Sequence, residues 1–467
     1  MYIGDYYFEI PDKIPQLNVT SIYYLLFIFV CFILSRSFNS KLRPFILLIA
    51  NAFFIYTFGI YNLIAILLLA FYCYLIAFYL QKRKTKSSLI ISIVPYILLL
   101  LFFKYKGLFN FHDSLLMPLG LSFYSFKIVS YLVDIYKGTC ENEKNILYLF
   151  DYILFFPCVT AGPINRAKPF LDELKNPTPF EYKDSKNGGI QVLLGIFEKI
   201  VFCDYITYIC NLILNNQELN GLNTILGIFL YSFVIYLDFD AYSNIAVGTA
   251  RLLGFKFDKN FNSPYISRNL KEFWNSWHIS LSSFLKDYIY IPLGGSKKGK
   301  YRKYLNILIV FLVSGIWHGS TINFIIWGLL NGLIRIVEEL IPIKNNNFFL
   351  NLIRMAKNFI IVTFLWLIFK YQNIQDVINI LKAAFEYSPL NYKAIGISFN
   401  EAIWLIIVLA IVIILDILRK HFDMINVLSK QFILFRWIFY IALIIIFLIF
   451  GVYGTAFNMN DFIYQWF

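Results

Sequence analysis

A succession of apolar runs, most of them close to the roughly 20 residues a helix needs to cross a hydrocarbon core, confines this chain to a narrow set of folds. The runs lie near residues 21–35, 44–60, 62–81, 88–103, 116–136 and 147–161, then near 189–214, 222–239, 304–317, 322–341, 352–370, 402–418 and 433–454. They predict an all-α integral membrane protein with about 11–13 transmembrane or re-entrant helices. Composition agrees, because only 15% of the residues are charged and 59% are hydrophobic, whereas soluble domains carry about 25% charged residues. Some runs are too short or too polar to span cleanly. Non-helical backbone at that depth must line a cavity or be buried in protein, so an internal pocket is expected. No internal repeat or low-complexity break divides the chain, and residues 1–467 read as one integral membrane domain.

Charge reports topology. Lys and Arg number 41 against 28 Asp and Glu, a net +13, but they are scattered among the apolar runs and form no single patch. That argues against a nucleic-acid partner. Two short basic clusters, "QKRKTK" (Gln81 to Lys86) and "SKKGKYRK" (Ser296 to Lys303), are expected on the cytoplasmic side. The first 20 residues hold Asp5, Glu9 and Asp12 against Lys13 and so lack the basic start of a cleavable signal. They read as a retained extracytoplasmic segment. The 6 cysteines show no Cys-x-x-Cys spacing and fit buried packing. "NPTPFEYKDSKNGG", Asn176 to Gly189, reads as a loop or a surface helix end.

Only 4 histidines occur, and two of them directly follow tryptophans: Trp277–His278 in "EFWNSWHISLSSFLKDYIYIPLGG" and Trp317–His318 in "SGIWHGS". On one continuous helix, Trp274, His278, Leu281, Leu285 and Tyr288 share a face, with Lys271, Glu272, Asn275, Ser282, Lys286 and Asp287 largely opposite. Such a helix suits an interface or a cavity wall. His278 then reads either as a packed, satisfied core residue or as a functional group. His318 lies 15 residues beyond Lys303, a distance that continuous helix converts to roughly 22 Å, deep in a core about 30 Å thick. An ionisable side chain at that depth points to a functional site facing protein or water. Ser314, Gly315, Gly319 and Ser320 around it permit close approach of another backbone or a thin substrate.

The remaining inventory narrows the chemistry. Zinc needs three or four ligands, and only His278 and His318 lie in suitable segments; His112 and His421 fall in connecting regions. No metal site is expected. There is no Gly-x-Ser-x-Gly elbow, and "GGSKKGK" ends in Tyr301 where a phosphate-binding loop needs Ser or Thr. A neutral imidazole can take the proton of an attacking hydroxyl during acyl transfer, help worth about 10² to 10⁴ in rate.

"EFWNSWHISLSSFLKDYIYIPLGG" followed by "SGIWHG" resembles the signature of the membrane-bound O-acyltransferase family, specifically its bacterial branch. "PLGLSFYSFKIVSYLVDIYKG" (Pro118 to Gly138), "FFPCVTAGPINRAKPF" (Phe155 to Phe170) and "IYLDFDAYSNIAVGTARLLGFKFDKNFNSPYISRNLKEFW" (Ile235 to Trp274) extend the resemblance from about residue 45 to the C-terminus. It implies helices arranged around a central funnel or tunnel, with residues 270–320 as the catalytic histidine region. His318 would be the catalytic histidine and His278 a second polar group. Trp277, Trp317, Trp274, Ser314, Gly319 and Asp238 would line the tunnel and exclude water. Lys297, Lys298 and Arg166 are candidates for binding the donor's phosphates.

The same resemblance implies no bound cofactor. The donor would be a cytoplasmic acyl thioester, acetyl-CoA or a phosphopantetheine-bearing acyl carrier protein. The expected partners are membrane lipid and an extracytoplasmic protein resembling an SGNH hydrolase, and the expected location is the bacterial cytoplasmic membrane. O-acetylation of an exported polysaccharide and D-alanyl transfer toward teichoic acid both fit. Asp240, Ala241 and Asn244 depart from the residues usual in the acetylating group, which leaves the polymer open. A transporter is a remoter alternative; it predicts paired half-length repeats, which the sequence lacks. Asp238 and Asp240 read either as structural partners or as substrate contacts. Lys127 and Asp134, 7 apart, are too distant to pair directly.

Overall fold

The computed structural model describes residues 15–38, 41–109, 116–177, 179, 181–216, 218–341, 347–451 and 462. Among them all regular structure is helical, as the apolar runs predict. Most of the N-terminal segment, His112, and most of the C-terminal "DFIYQWF" lie outside the described residues. Among the described residues six helices are long and apolar enough to cross a membrane: Ile60–Lys82, Lys86–Tyr105, Leu222–Leu252, Phe348–Lys370, Phe399–His421 and Ile433–Phe450. Other runs form shorter or more polar helices. Residues 44–60 fold largely as Arg43–Tyr56, and 147–161 become Ile146–Leu154 followed by a tight turn at Phe156–Cys158. The run 189–214 is interrupted by a π-helical turn at Glu198–Cys203. The stretch 176–189 includes the start of a helix, Tyr182–Phe197.

Burial separates a central element from a perimeter. In the Leu222–Leu252 helix 72% of the most apolar stretch is buried in the protein, against 6% for Ile433–Phe450. An all-apolar helix that hides its surface in this way is a core element, while one that exposes it needs lipid as solvent. Tyr182–Phe197 lies against the central helix along a glycine seam. A Cβ on Gly188 would fall 2.8 Å from the Gly248 carbonyl oxygen, and one on Gly248 would fall 2.8 Å from that of Gly188. Gly195 is as close to the Ala241 oxygen, 2.8 Å. Small residues at such a crossing let backbones meet where no hydrophobic effect draws helices together.

A second seam joins the helices Lys300–His318 and Ile322–Leu340. A Cβ on Gly328 would sit 2.5 Å from the Phe311 oxygen, and one on Gly315 would collide with that of Phe324. The far end of this pair is tied down by Tyr105, whose hydroxyl donates to the carbonyl oxygens of Ile316 at 2.9 Å and Gly319 at 3.1 Å. The C-terminal ends of Lys86–Tyr105 and Lys300–His318 therefore meet, with Lys104 Nζ also over the Trp317 ring. Arg36 and Arg43 donate to the Leu252 and Leu253 carbonyls at 3.3 and 2.7 Å.

Charge buried around the π-helical turn is paired. The π-helical turn brings consecutive Glu198 and Lys199 into the core. Lys199 Nζ lies 2.8 Å from both Asp204 Oδ1 and Asp238 Oδ1, and Arg419 reaches Glu198 and Asp240, each at 2.8 Å. Asp238 and Asp240 thus each meet a cation. Lys127 Nζ instead donates to the Tyr152 carbonyl at 3.3 Å, and Asp134 accepts from the Tyr288 hydroxyl at 2.9 Å, so those two do not pair, as their spacing predicts. All six cysteines are free and buried.

Three outcomes follow from this packing. Gly248→Leu is expected to overpack the central seam and cost about 1–3 kcal/mol or more, seen as lost monodispersity after heating in detergent. Gly189→Ala, with nothing within 4 Å of the new Cβ, is expected to match or exceed wild type by up to about 1 kcal/mol. Lys199→Ala strands Asp204 and Asp238 side by side, and roughly 3–5 kcal/mol of stability should be lost in the same melting assay.

Candidate active site

The segment carrying His278 is not the single amphipathic helix that its 4, 3, 4, 3 spacing predicts. Helix Leu270–Ser276 stops, Trp277 is extended (φ −105°, ψ 128°), His278 is left-handed (φ 42°, ψ 57°), and a second helix runs Ile279–Leu285. A non-glycine residue in the left-handed region costs of order 1–3 kcal/mol and persists only where its surroundings enforce it. Here the enforcement comes from residues 260–262. The Asn262 N–H donates to the Ser276 carbonyl and the Ile279 N–H to the Asn260 carbonyl, both at 2.9 Å. This strap bonds the chain on either side of the break. The physical reason for the departure is thus a long-range backbone pairing that local periodicity does not register.

The break aims the two side chains apart. Trp277 stacks among Trp366 at 4.7 Å, Phe261 at 5.0 Å and Phe273 at 5.5 Å between ring centroids. His278, 1% exposed, meets Phe239 edge-on at 4.7 Å, and its Nδ1 lies 3.2 Å from Asn260 Oδ1. Its Nε2 is buried without a hydrogen-bond partner.

His318 ends the helix Lys300–His318 and is 5% exposed. Its ring is caged by Trp317 at 4.4 Å, Phe369 at 4.9 Å, Trp327 at 5.2 Å and Phe324 at 6.3 Å. Gly319 is required next to it, since a Cβ there would collide with the Phe324 ring. Trp317 faces the other way, toward Phe126 at 5.1 Å and beneath Lys104 Nζ at 5.2 Å, with its Nε1 unpartnered.

The two tryptophan–histidine pairs belong to one aromatic assembly. Trp366 lies 4.7 Å from Trp277 and 6.2 Å from Trp327, which in turn lies 5.2 Å from His318. Trp327, Trp366 and Phe369 were not distinguishable in sequence, because each sits in an apolar run where lipid-facing and site-facing aromatics look alike. Trp274 joins the assembly through Trp327 at 5.7 Å and is fixed by its Nε1, which donates to Asn331 Oδ1 at 3.1 Å.

Trp274 and Ser314 also line a cavity of about 390 Å³. Its lining includes Lys271, Lys286, Lys303 and Arg335, the last two ion-paired with Glu339, together with Leu281, Leu285 and Phe311. Ser314 precedes His318 by four residues, about 6 Å along the helix axis, so the cavity reaches to within one turn of the imidazole. Lys297 and Lys298 are exposed and do not line it, although the adjacent Ser296 does. Arg166 is engaged elsewhere, with Nη2 3.0 Å from Asp287 Oδ2 and its guanidinium 4.5 Å over the Tyr288 ring. Asp238 is held in the Lys199 ion pair. A second, more polar cavity of about 430 Å³ lies beyond Asn260, bounded also by Tyr236, Asp240, Ser243, Arg251 and Arg419. Among the described residues no three His, Cys, Asp or Glu side chains converge as metal ligands would.

The sequence pattern of the membrane-bound O-acyltransferase family matches residues 45–375. A probable alginate O-acetylase of Pseudomonas syringae pv. tomato is 34% identical over 272 residues, 58% of this chain and 52% of that protein. A peptidoglycan O-acetyltransferase of Helicobacter pylori is 29% identical over 397 residues, 75% of each chain. A teichoic acid D-alanyltransferase of Bacillus subtilis is 34% identical over 234 residues, 47% of this chain and 58% of that protein. The chain spans about half the length of the alginate O-acetylases it matches. With a family match that takes in both tryptophan–histidine pairs and most of the helical bundle around them, the chain belongs to the membrane-bound O-acyltransferase family.

Proposed function

We propose that this protein passes an acyl group, acetyl in the first place, from a cytoplasmic thioester across the membrane for O-acylation of an exported cell-surface polysaccharide. One observation carries the reading: a cavity lined by four cations, by Trp274 and by apolar side chains, which reaches Ser314, one helical turn from the buried His318. Phosphates of acetyl-CoA, or of a phosphopantetheine carrier, suit the cations. The thin thioester arm suits the apolar lining. Lys271, Lys286, Lys303 and Arg335 take the donor-binding role, with Lys297 and Lys298 on the neighbouring exposed loop.

In the reaction the acceptor's hydroxyl oxygen attacks the thioester carbonyl, the new C–O bond forms and the C–S bond breaks. The hydroxyl proton passes to the His318 imidazole and then to the departing sulfur, so no other reactant is needed. The aromatic cage keeps water from the carbonyl, which hydrolysis would otherwise consume. Acetyl is favoured because two of the relatives above are named for O-acetyl transfer. An extracytoplasmic partner resembling an SGNH hydrolase would pass the group to the polymer, from a bacterial cytoplasmic membrane.

Ester released by alkali from surface polymers should fall about 10²-fold or more in cells carrying His318→Ala at wild-type protein levels, as in cells without the gene. Loss of acetate fits the proposal, loss of D-alanine moves the acceptor to teichoic acid, and unchanged ester removes acyl transfer to surface polymer. In membranes, Lys271→Glu with Lys286→Glu should raise the donor KM, roughly five-fold for each charge at about 1 kcal/mol, with little change in kcat. An unchanged KM would place the donor elsewhere.

A further inference from the structure

Asn260 was not singled out by any motif, yet it is the one side chain that fixes what the second histidine can do. Its amide has an unambiguous orientation. The Ser280 backbone N–H, which can only donate, points at Oδ1 at 3.2 Å, and Nδ2 donates to Ser243 Oγ at 3.2 Å. Oδ1 is therefore an acceptor, and it faces His278 Nδ1 at 3.2 Å. Ser280 Oγ gives its own proton to the same Oδ1 at 2.9 Å and accepts from the Ile164 N–H at 3.0 Å, so it has no second proton to offer the ring. Two neutral tautomers of imidazole exist, and the hydrogen bond at one nitrogen selects between them. Here an acceptor at Nδ1 demands the proton there, which leaves Nε2 as a bare lone pair, buried and unpartnered.

We infer that Asn260 is a positioning residue that locks His278 into the tautomer protonated at Nδ1, making it a permanent hydrogen-bond acceptor, never a donor, toward the reacting groups. The inference rests on the acyl-transfer reading for its purpose. Asn260 also forms part of the wall of the 430 Å³ polar cavity. Removing its side chain lets water reach Nδ1, and water serves a donor and an acceptor equally well, so both tautomers become populated.

With so few histidines, the purified full-length protein labelled with ¹⁵N-histidine in lipid nanodiscs gives a spectrum in which each ring is resolved, and His278→Gln identifies one set. The expected result is a protonated Nδ1 and a bare Nε2 for His278 in wild type and in Asn260→Asp, and a mixture in Asn260→Ala. Kinetically, Asn260→Ala should lower kcat on the order of 10–100-fold with the donor KM within about two-fold of wild type, and Asn260→Asp should recover most of that loss. A wild-type ring protonated at Nε2 overturns the inference without requiring any Asn260 variant to fold, and so does an unchanged tautomer in Asn260→Ala. If the tautomer is as inferred but His278→Gln leaves ester transfer intact, the acyl-transfer role of this site fails and the tautomer assignment stands. A reversed tautomer with transfer abolished by His318→Ala has the opposite meaning.

Discussion

Backbone that leaves a helix inside a bilayer must find its hydrogen-bond partners within the protein, because no water is there to supply them. The site depends on how this chain meets that demand at Trp277 and His278. The strap formed by residues 260–262 takes up groups on both sides of the break, and only because it does can His278 hold a left-handed conformation and turn away from Trp277. Without the strap the segment would relax into the continuous helix its spacing favours, and the imidazole would rejoin an apolar stripe.

The aromatic assembly between the two histidines is the complement of that break. Four tryptophans, Trp274 on a short helix, Trp277 at the break that follows it, and Trp327 and Trp366 on two other helices, meet edge to face, tilted or stacked at centroid distances that suit ring quadrupoles. Rings of this size carry few rotatable bonds, so the surroundings of His318 are set by rigid bodies. Polar groups within it are sparse and each has a defined task. Asn331 anchors Trp274, and Tyr105 takes the carbonyls left over where the Lys300–His318 helix ends.

Much of this was legible in the sequence, for reasons that also mark where reading stopped. The run lengths gave a membrane bundle, and the depth of His318 below Lys303 made it a candidate, which the structure places buried in an aromatic cage. The break at His278 was not legible, because its cause lies in a strap some fifteen residues earlier and periodicity is a local property. Charge was legible only in part, for a related reason. Lys297 and Lys298 draw attention as neighbours in the chain, whereas Lys271, Lys286, Lys303 and Arg335 become a cluster only when separate helices assemble. Asp238 and Asp240 left two readings open, and the cations that pair with them, Lys199 and Arg419, lie far away in sequence.

The Gly315–Gly328 contact has a consequence for what the cavity can admit. Both backbones are already at closest approach, so the helix bearing Ser314 and His318 cannot yield toward its neighbour to make room for a bulkier acyl chain. One wall is in effect a fixed datum. On the proposed reading, the breadth of the acyl group is set by the other lining residues, Leu281 and Leu285 among them, where a change of side chain alters the width of the cavity without touching the glycine seam.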